Sequence, residues 1–127
     1  TRKAFENPLT QSQLNKARAA VRDVRMSEQV EEYLVQIILA TRNSDKYGGN
    51  LSDWLEFGAS PRATIALDIC SKSLAWLDNR NFVTPDDIRS IAHDVLRHRL
   101  ILSFEAEANG ISSDQVVDEL LKVVPSA

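Results

Sequence analysis

Helix-start signals recur along the chain, and they constrain its fold more than any other feature of the sequence. Serine or threonine precedes a helical apolar pattern at five places, and at Thr10 and Ser112 a glutamine follows three residues later. This spacing is typical of a capping box, in which two side chains satisfy free N–H groups of the first helical turn. Thr84 is followed by Pro85 and two aspartates, which is another strong start signal. The chain is therefore predicted to be mainly helical.

Apolar residues at helical spacing predict five helices. The first opens at Thr10, the second runs from Ser27 to about Thr41, the third begins at Ser60 and ends at a turn over 78–81, the fourth begins at Thr84, and the fifth runs from Ser112 until Pro125 stops it. On the third helix we expect one broad apolar stripe to face inward, made of Ile65, Ala66, Ile69, Cys70, Leu74 and Leu77. Together the segments predict a compact helical bundle with short connections.

Some short segments cannot be assigned from periodicity. The apolar run 100–102 can be strand or helix, because so few residues do not reveal a period. Segments 24–26 and 82–83 are equally short, and either is a candidate partner for that run. Segment 43–50 is polar and contains two glycines, which predicts a loop. The predicted fold class is mainly α, with at most a very short strand pair.

Composition excludes several classes of function. A net charge of −3 disfavours a basic nucleic-acid binder, and the single cysteine, Cys70, excludes an internal disulfide and a multi-cysteine zinc site. No glycine-rich phosphate loop occurs, and His93 and His98 are five residues apart rather than the four that would align two metal ligands on a helix. We therefore expect no catalytic residue, metal site, membrane span or nucleic-acid partner, and a cytoplasmic location.

Charge is distributed unevenly along the chain. Residues 1–25 are mostly basic, and residues 103–127 are mostly acidic. The two ends are either solvated faces or complementary surfaces that dock on a neighbouring domain or subunit.

One constellation points to an anionic ligand. Gly58 precedes a helix whose expected cap is Ser60 and whose first residue is Pro61. Arg62 then lies in the first turn, where the helix dipole and free N–H groups favour anions and where a guanidinium can bind phosphate in a bidentate way. From the residues alone, Arg62 is either a phosphate-binding arginine or a surface arginine without a special contact.

The block 58–63, Gly-Ala-Ser-Pro-Arg-Ala, resembles the sensor-2 motif of MoxR-type AAA+ ATPases. Further blocks resemble the same family in matching order, one before this block, at 39–42, and three after it, at 82–88, 95–102 and 105–111. The resemblance runs from about Asn7 to Pro125 and implies the C-terminal helical lid of such an ATPase. Residues 1–127 are accordingly expected to be one lid domain, a fragment that lacks the upstream nucleotide-binding domain with its Walker A, Walker B, sensor-1 and arginine-finger segments.

The resemblance also implies a role for each matching residue. Arg62 would be the sensor-2 arginine that contacts the γ-phosphate of ATP, and Ser60 and Pro61 would position it; whether it acts in cis or in trans stays open. The parent protein would be an ATPase using ATP and Mg²⁺ in an oligomeric ring, often a hexamer, whereas the fragment alone would bind neither. Members of this family are thought to be chaperone-like, often acting with von Willebrand factor A-domain proteins.

Four further residues have two interpretations. Arg42, Arg97, His98 and Arg99 lie near predicted helix ends, where basic side chains favour the negative end of the dipole. They could equally contact the missing domain or a neighbouring subunit. As a function of the whole chain, a free-standing helical adaptor with an exposed apolar patch is the alternative to a lid. A DNA-binding role for Lys16, Arg18, Arg22 and Arg25 is disfavoured by the negative net charge.

Overall fold

A computed structural model describes residues 8–126 of the chain. Asn7, where the family resemblance begins, and the first basic residues lie outside the described part. The helices within it are α1 (Gln11–Arg22), α2 (Glu28–Arg42), α3 (Leu51–Trp54), α4 (Pro61–Leu77), α5 (Pro85–Leu96), α6 (Phe104–Ala108) and α7 (Ser113–Val123). Two short strands, β1 (Leu55–Phe57) and β2 (Ile101–Leu102), complete a mainly helical bundle with a strand pair, as predicted.

The predicted helix starts are confirmed at atomic detail. Both halves of the capping box form at Thr10, Thr84 and Ser112, so these side chains satisfy N–H groups of the first turns of α1, α5 and α7. The Ser27 hydroxyl accepts a hydrogen bond from the Val30 N–H at 3.2 Å and starts α2. The five predicted helices are thus α1, α2, α4, α5 and α7.

Two short helices and a single 3-10 turn add to the five predicted helices. The turn, Ser44–Lys46, lies in the segment expected to be a loop, and α3 follows it. Ser103 caps α6, since its hydroxyl accepts from the Ala106 N–H at 3.1 Å. Helices of four or five residues are too short to show a 3.6-residue period, so periodicity could not predict α3 and α6.

The undecided run 100–102 contains a strand, but neither predicted partner pairs with it. β2 pairs antiparallel with β1, Leu102 opposite Leu55 and Ile101 opposite Phe57, with one extra residue bulged on β1. The Ser103 N–H donates to the Trp54 carbonyl at 2.8 Å and extends this contact. Segments 24–26 and 82–83 instead meet each other through a parallel bridge between Arg25 and Phe82.

The core lies where α2, α4, α5 and α7 meet. Its largest fully buried aliphatic side chains come from these helices and from the start of α3; among them are Ile37, Leu51, Leu67, Ile88, Leu96 and Leu120. α1 contributes no buried residue and lies along α4 at the edge of the bundle. The N-terminal end of α4 is therefore held by the core on one side and open to solvent on the other.

The prediction of which side of α4 faces the core is wrong. Ile65, Ile69 and Leu77 are exposed, Leu77 by 71%, and Ala66, Cys70 and Leu74 are only half-buried. The buried face is the row Ala63, Leu67, Ser71 and Ala75, which recurs every four residues. Three of these four side chains are small, and they let the neighbouring helices approach α4 closely. α4 carries apolar residues around most of its circumference, so periodicity alone could not select the buried side.

Candidate functional site

Arg62 lies in the first turn of α4 and is exposed. Ser60 occupies the cap position with an extended backbone, and Pro61 is the first helical residue, as predicted. The Ser60 hydroxyl, however, makes no cap hydrogen bond, unlike the caps of α1, α5 and α7. No hydrogen bond or ion pair joins the Arg62 side chain to another residue within 8–126. The start of α4 therefore presents the Arg62 guanidinium to solvent, while Pro61 has no N–H and the Ala63 N–H is bonded to the Ser60 carbonyl at 2.9 Å.

Gly58 allows the loop before α4 to press against the end of α2. A Cβ at position 58 would lie 2.1 Å from the Thr41 carbonyl oxygen and 2.9 Å from the Arg42 backbone nitrogen. Those neighbours are backbone atoms and cannot rotate away. Only glycine fits this approach, which explains why the loop begins with that residue.

The Thr41 hydroxyl bonds the same loop directly. It accepts a hydrogen bond from the Ala59 N–H at 3.0 Å and donates one to the Ile38 carbonyl at 2.6 Å. Thr41 and Ala59 are both buried, with 2% and 1% of their surface exposed. The contact therefore supplies the buried Ala59 N–H with the partner that burial demands. It fixes the loop three residues before Arg62.

Arg42 is the last residue of α2, and its side chain is exposed. Its backbone lies against Gly58, so the segment that carries Arg42 meets the segment that carries Arg62. The two blocks 39–42 and 58–63, which the sequence shows 16 residues apart, are thus one structural unit at this end of the bundle.

A family model described as an AAA lid domain matches residues 52–120, which is more than half of the chain. The chain belongs to the AAA lid domain family. The match includes the 58–62 segment and the 97–99 segment but not α1 or α2, so Thr41 lies before it.

Curated relatives place this lid among MoxR proteins. Chaperone MoxR1 of Mycobacterium tuberculosis is 39% identical over 94 residues, 73% of this chain and 25% of that protein. Uncharacterized protein YeaC of Bacillus subtilis is 35% identical over 104 residues, 82% of this chain and 30% of that protein. Protein MoxR of Methylorubrum extorquens is 34% identical over 67 residues, 53% of this chain and 19% of that protein. The chain thus spans less than a third of each of these relatives.

A solved structure agrees with this assignment. A crystal structure of a protein from Cytophaga hutchinsonii, proposed to be an ATPase, matches with a TM-score of 0.86 and 36% identity over 91% of this chain and 36% of that one. The chain is the lid region of a MoxR-family AAA+ ATPase.

The basic segment that follows α5 in the lid is partly occupied by internal contacts. Arg97 Nε donates to Asp114 Oδ1 at 2.8 Å, and this hydrogen bond is the main reason why the pKa of the Arg97 guanidinium is raised. Arg99 donates to the Val95 carbonyl at 2.6 Å, a helix-end contact. His98 is exposed, and its ring makes no hydrogen bond within the described chain. Of the three, His98 presents the freest side chain for a contact outside the lid.

Part of the acidic C-terminal region likewise makes contacts inside the lid. Asp118 Oδ1 lies 2.7 Å from His93 Nε2, and Asp114 pairs with Arg97 as above. His93 is thus a partly exposed residue of α5 whose ring contacts α7. Glu105 and Glu107 of α6 remain exposed.

Sequence reasoning missed an ion pair between Arg80 and Asp87. Arg80 donates two hydrogen bonds to the Asp87 carboxylate, at 2.8 and 2.7 Å, and a third to Asp78. Burial raises the pKa of Asp87, but hydrogen bonds from Arg80 and Thr84 outweigh it and lower that pKa overall. The pKa of Arg80 is raised by its bonds to Asp87 and Asp78. The capping pattern at Thr84 marked Asp87 as a helix-start acid, but no local pattern marked Arg80.

Between residues 8 and 126, no three His, Cys, Asp or Glu side chains come together in a way that could hold a metal ion. No helix in that range is both long and apolar enough to cross a bilayer.

Proposed function

We propose that this lid supplies Arg62 as the sensor-2 arginine to ATP bound by the nucleotide-binding domain of its parent ATPase. The observation that carries the proposal is that the Arg62 side chain is exposed and makes no hydrogen bond within residues 8–126, in the first turn of a long helix. The loop that precedes this helix is held to the core by the hydrogen bond between Ala59 and Thr41. A functional arginine of this kind needs a fixed backbone and a free head group. Arg62 has both.

The start of α4 suits an anion such as a terminal phosphate. The positive end of the helix dipole lies there, and the Ser60 hydroxyl does not cap the Arg62 N–H, although Pro61 has no N–H and the Ala63 N–H is bonded to the Ser60 carbonyl. A guanidinium adds two parallel donors in a fixed plane, which match two phosphate oxygens. ATP held with Mg²⁺ by the parent protein would supply the γ-phosphate and the hydrolytic chemistry. The lid residues would bind and orient that phosphate.

The wider setting is a ring of ATPase subunits, in which Arg62 serves either its own subunit's nucleotide or a neighbour's. Arg42, His98, Arg97 and Arg99 are the proposed contacts with the nucleotide-binding domain or the next subunit. Exposed apolar side chains on α4, among them Ile65 and Leu77, support burial against other parts of the ring. Since one relative is called a chaperone, we propose chaperone-like action on client proteins, with von Willebrand factor A-domain proteins as candidate partners, in the cytoplasm.

A free-standing adaptor is the second candidate, and one observation favours it. A groove between α1 and α4 is lined largely by apolar side chains, including Leu14, Val21, Ile69, Trp76 and Leu77. Such a groove could receive an apolar segment of another protein. The reading frame upstream of Thr1 separates the two: a Walker A motif in frame supports the lid, and a start codon at Thr1 without such a region supports the adaptor.

The test of the proposed function is steady-state ATP turnover by the full-length ATPase carrying Arg62→Ala or Arg62→Lys. Losing a charge-assisted hydrogen bond of roughly 1.5–3 kcal/mol should lower turnover about tenfold or more. Arg62→Lys should restore only part of the rate, because an ammonium cannot replace a planar fork.

Arg18→Ala is the matched control, since Arg18 is an exposed arginine that lies opposite the C-terminal half of α4. All three variants should melt close to the parent, because an exposed side chain leaves no cavity and its removal costs about 0.5 kcal/mol or less. Unchanged turnover in Arg62→Ala, or a loss equal to that in Arg18→Ala, would overturn the assignment.

A further inference from the structure

Thr41 is a buried hydroxyl on α2 whose contacts lead to the loop of α4 rather than only to its own helix. Many helical threonines and serines donate to a carbonyl of the preceding turn, and Thr41 does so toward Ile38. The hydroxyl also accepts from the Ala59 N–H, 18 residues further along the chain. The hydroxyl is therefore used as donor and acceptor at once, and its orientation is fixed by both partners.

Two neighbouring contacts fix the same loop. The Gly58 backbone lies against the Thr41 carbonyl, too closely for any Cβ, and the Ser60 carbonyl accepts from the Ala63 N–H at 2.9 Å. From Thr41 to α4 there is thus a short chain of backbone contacts without a flexible side chain in it. Ser60, the residue that would ordinarily fix a helix start by its side chain, makes no such bond.

We propose that Thr41 is a positioning residue for Arg62: its hydroxyl holds Ala59, and through that loop sets where the first turn of α4 presents the arginine. The inference rests on the proposed function of Arg62 in ATP turnover. The Thr41 hydroxyl thus has a role in positioning Arg62, whereas the exposed side chain of the neighbouring residue Arg42 does not. Removing the hydroxyl should loosen the loop and displace Arg62, although the guanidinium itself is still present.

The test is a double-mutant cycle on turnover in the full-length ATPase, with Thr41→Val and Arg62→Ala singly and together. Valine keeps the shape of threonine but offers no acceptor, so turnover should fall about tenfold, well within the roughly hundredfold loss that a 1 Å misplacement can cause. In the Arg62→Ala background, Thr41→Val should change turnover by less than about twofold, because the group it positions is already gone. Thr41→Ser, which keeps the hydroxyl, should restore most of the rate.

Ser71→Ala is the matched control for loss of a buried helical hydroxyl. The Ser71 hydroxyl is fully buried and donates to the Asp68 carbonyl three residues earlier, but it accepts no hydrogen bond from the 58–60 loop. Its removal should leave turnover within about twofold of the parent, as expected for a residue without a contact to that loop. All rates are compared well below the melting temperature of each variant. Thr41→Ala, which also lacks the hydroxyl, replaces Thr41→Val if the valine variant does not fold.

The outcomes separate this inference from the one on which it rests. Unchanged turnover in Arg62→Ala would overturn the role of Arg62 itself. If Arg62→Ala lowers turnover and Thr41→Val lowers it by the same factor in both backgrounds, the role of Arg62 stands and that of Thr41 is overturned. A loss in Thr41→Val that vanishes in the Arg62→Ala background and is rescued by serine supports the positioning role.

Discussion

Gly58→Ala is the substitution for which the structure predicts the largest effect from the smallest change. The added Cβ would lie 2.1 Å from the Thr41 carbonyl oxygen and 2.5 Å from its carbonyl carbon, whereas real Cβ atoms essentially never come within 3.0 Å of another atom. The obstacle is the backbone at the end of α2, which is held by the buried core. The loop must therefore move by roughly 1 Å, and the helix cannot yield instead.

The cost can be worked from two contributions. Overpacking of this kind costs about 1–3 kcal/mol, and displacing Ala59 from the Thr41 hydroxyl costs a further 1 kcal/mol or so. The free energy of unfolding should therefore fall by about 2–4 kcal/mol. At about 4 °C for each kcal/mol in a domain of this size, the melting temperature should fall by roughly 8–16 °C.

The assay is thermal unfolding of the 127-residue chain, followed by far-ultraviolet circular dichroism. Ser60→Ala is the matched control two residues away: its hydroxyl makes no cap hydrogen bond, so the change should stay within about 0.5 kcal/mol. A Gly58→Ala variant that melts with the parent would refute the close approach of the loop to α2. A Ser60→Ala variant that loses as much stability as Gly58→Ala would refute the open cap.

Three further predictions concern the fold and the activity of the chain on its own. In a urea titration, Asp87→Ala should lower the free energy of unfolding by more than about 1 kcal/mol, because it removes half of a capping box and the partner of Arg80. Asp86→Ala, which changes the exposed neighbouring residue, should lower it by less than about 0.5 kcal/mol. Because the folded-state pKa of Asp87 is lowered, its contribution to the free energy of unfolding is complete above the ordinary aspartate pKa and is lost as the pH falls below about 4. Below that pH, the melting temperature of Asp87→Ala should therefore depend less on pH than that of the parent. Parallel plots of melting temperature against pH would contradict this. The chain alone should hydrolyse no ATP above background, and turnover that copurifies with the folded chain would refute that expectation.

The helix starts could be predicted because their signals are local. At Thr10, Thr84 and Ser112 the two residues of each capping box are three positions apart, so the sequence contains the whole interaction. The strand pair could be foreseen only as a possibility, because its paired residues are far apart along the chain: Leu55 and Leu102 are 47 positions apart, and Phe57 and Ile101 are 44 positions apart. Tertiary pairing of such short runs leaves no period in the sequence.

The candidate site divides in the same way. The exposed arginine at a helix start could be predicted, because the residues that indicate it lie within one short segment: Gly58, Ser60, Pro61 and Arg62. The Thr41–Ala59 hydrogen bond could not, because nothing local distinguishes this threonine from one that bonds only its own helix. The buried side of α4 was mispredicted for a related reason: small residues such as Ala63 and Ala75 score weakly as apolar, yet they are what a closely packed helix needs.

The measurement that tests the central claim most directly is the affinity of the full-length ATPase for ATP and for ADP, with and without Arg62→Ala. An arginine that contacts the γ-phosphate should matter only when that phosphate is present. ATP binding should weaken about tenfold to a hundredfold, which corresponds to roughly 1.5–3 kcal/mol, while ADP binding should change by less than about twofold. Equal weakening of both nucleotides, or no weakening of either, would contradict the account.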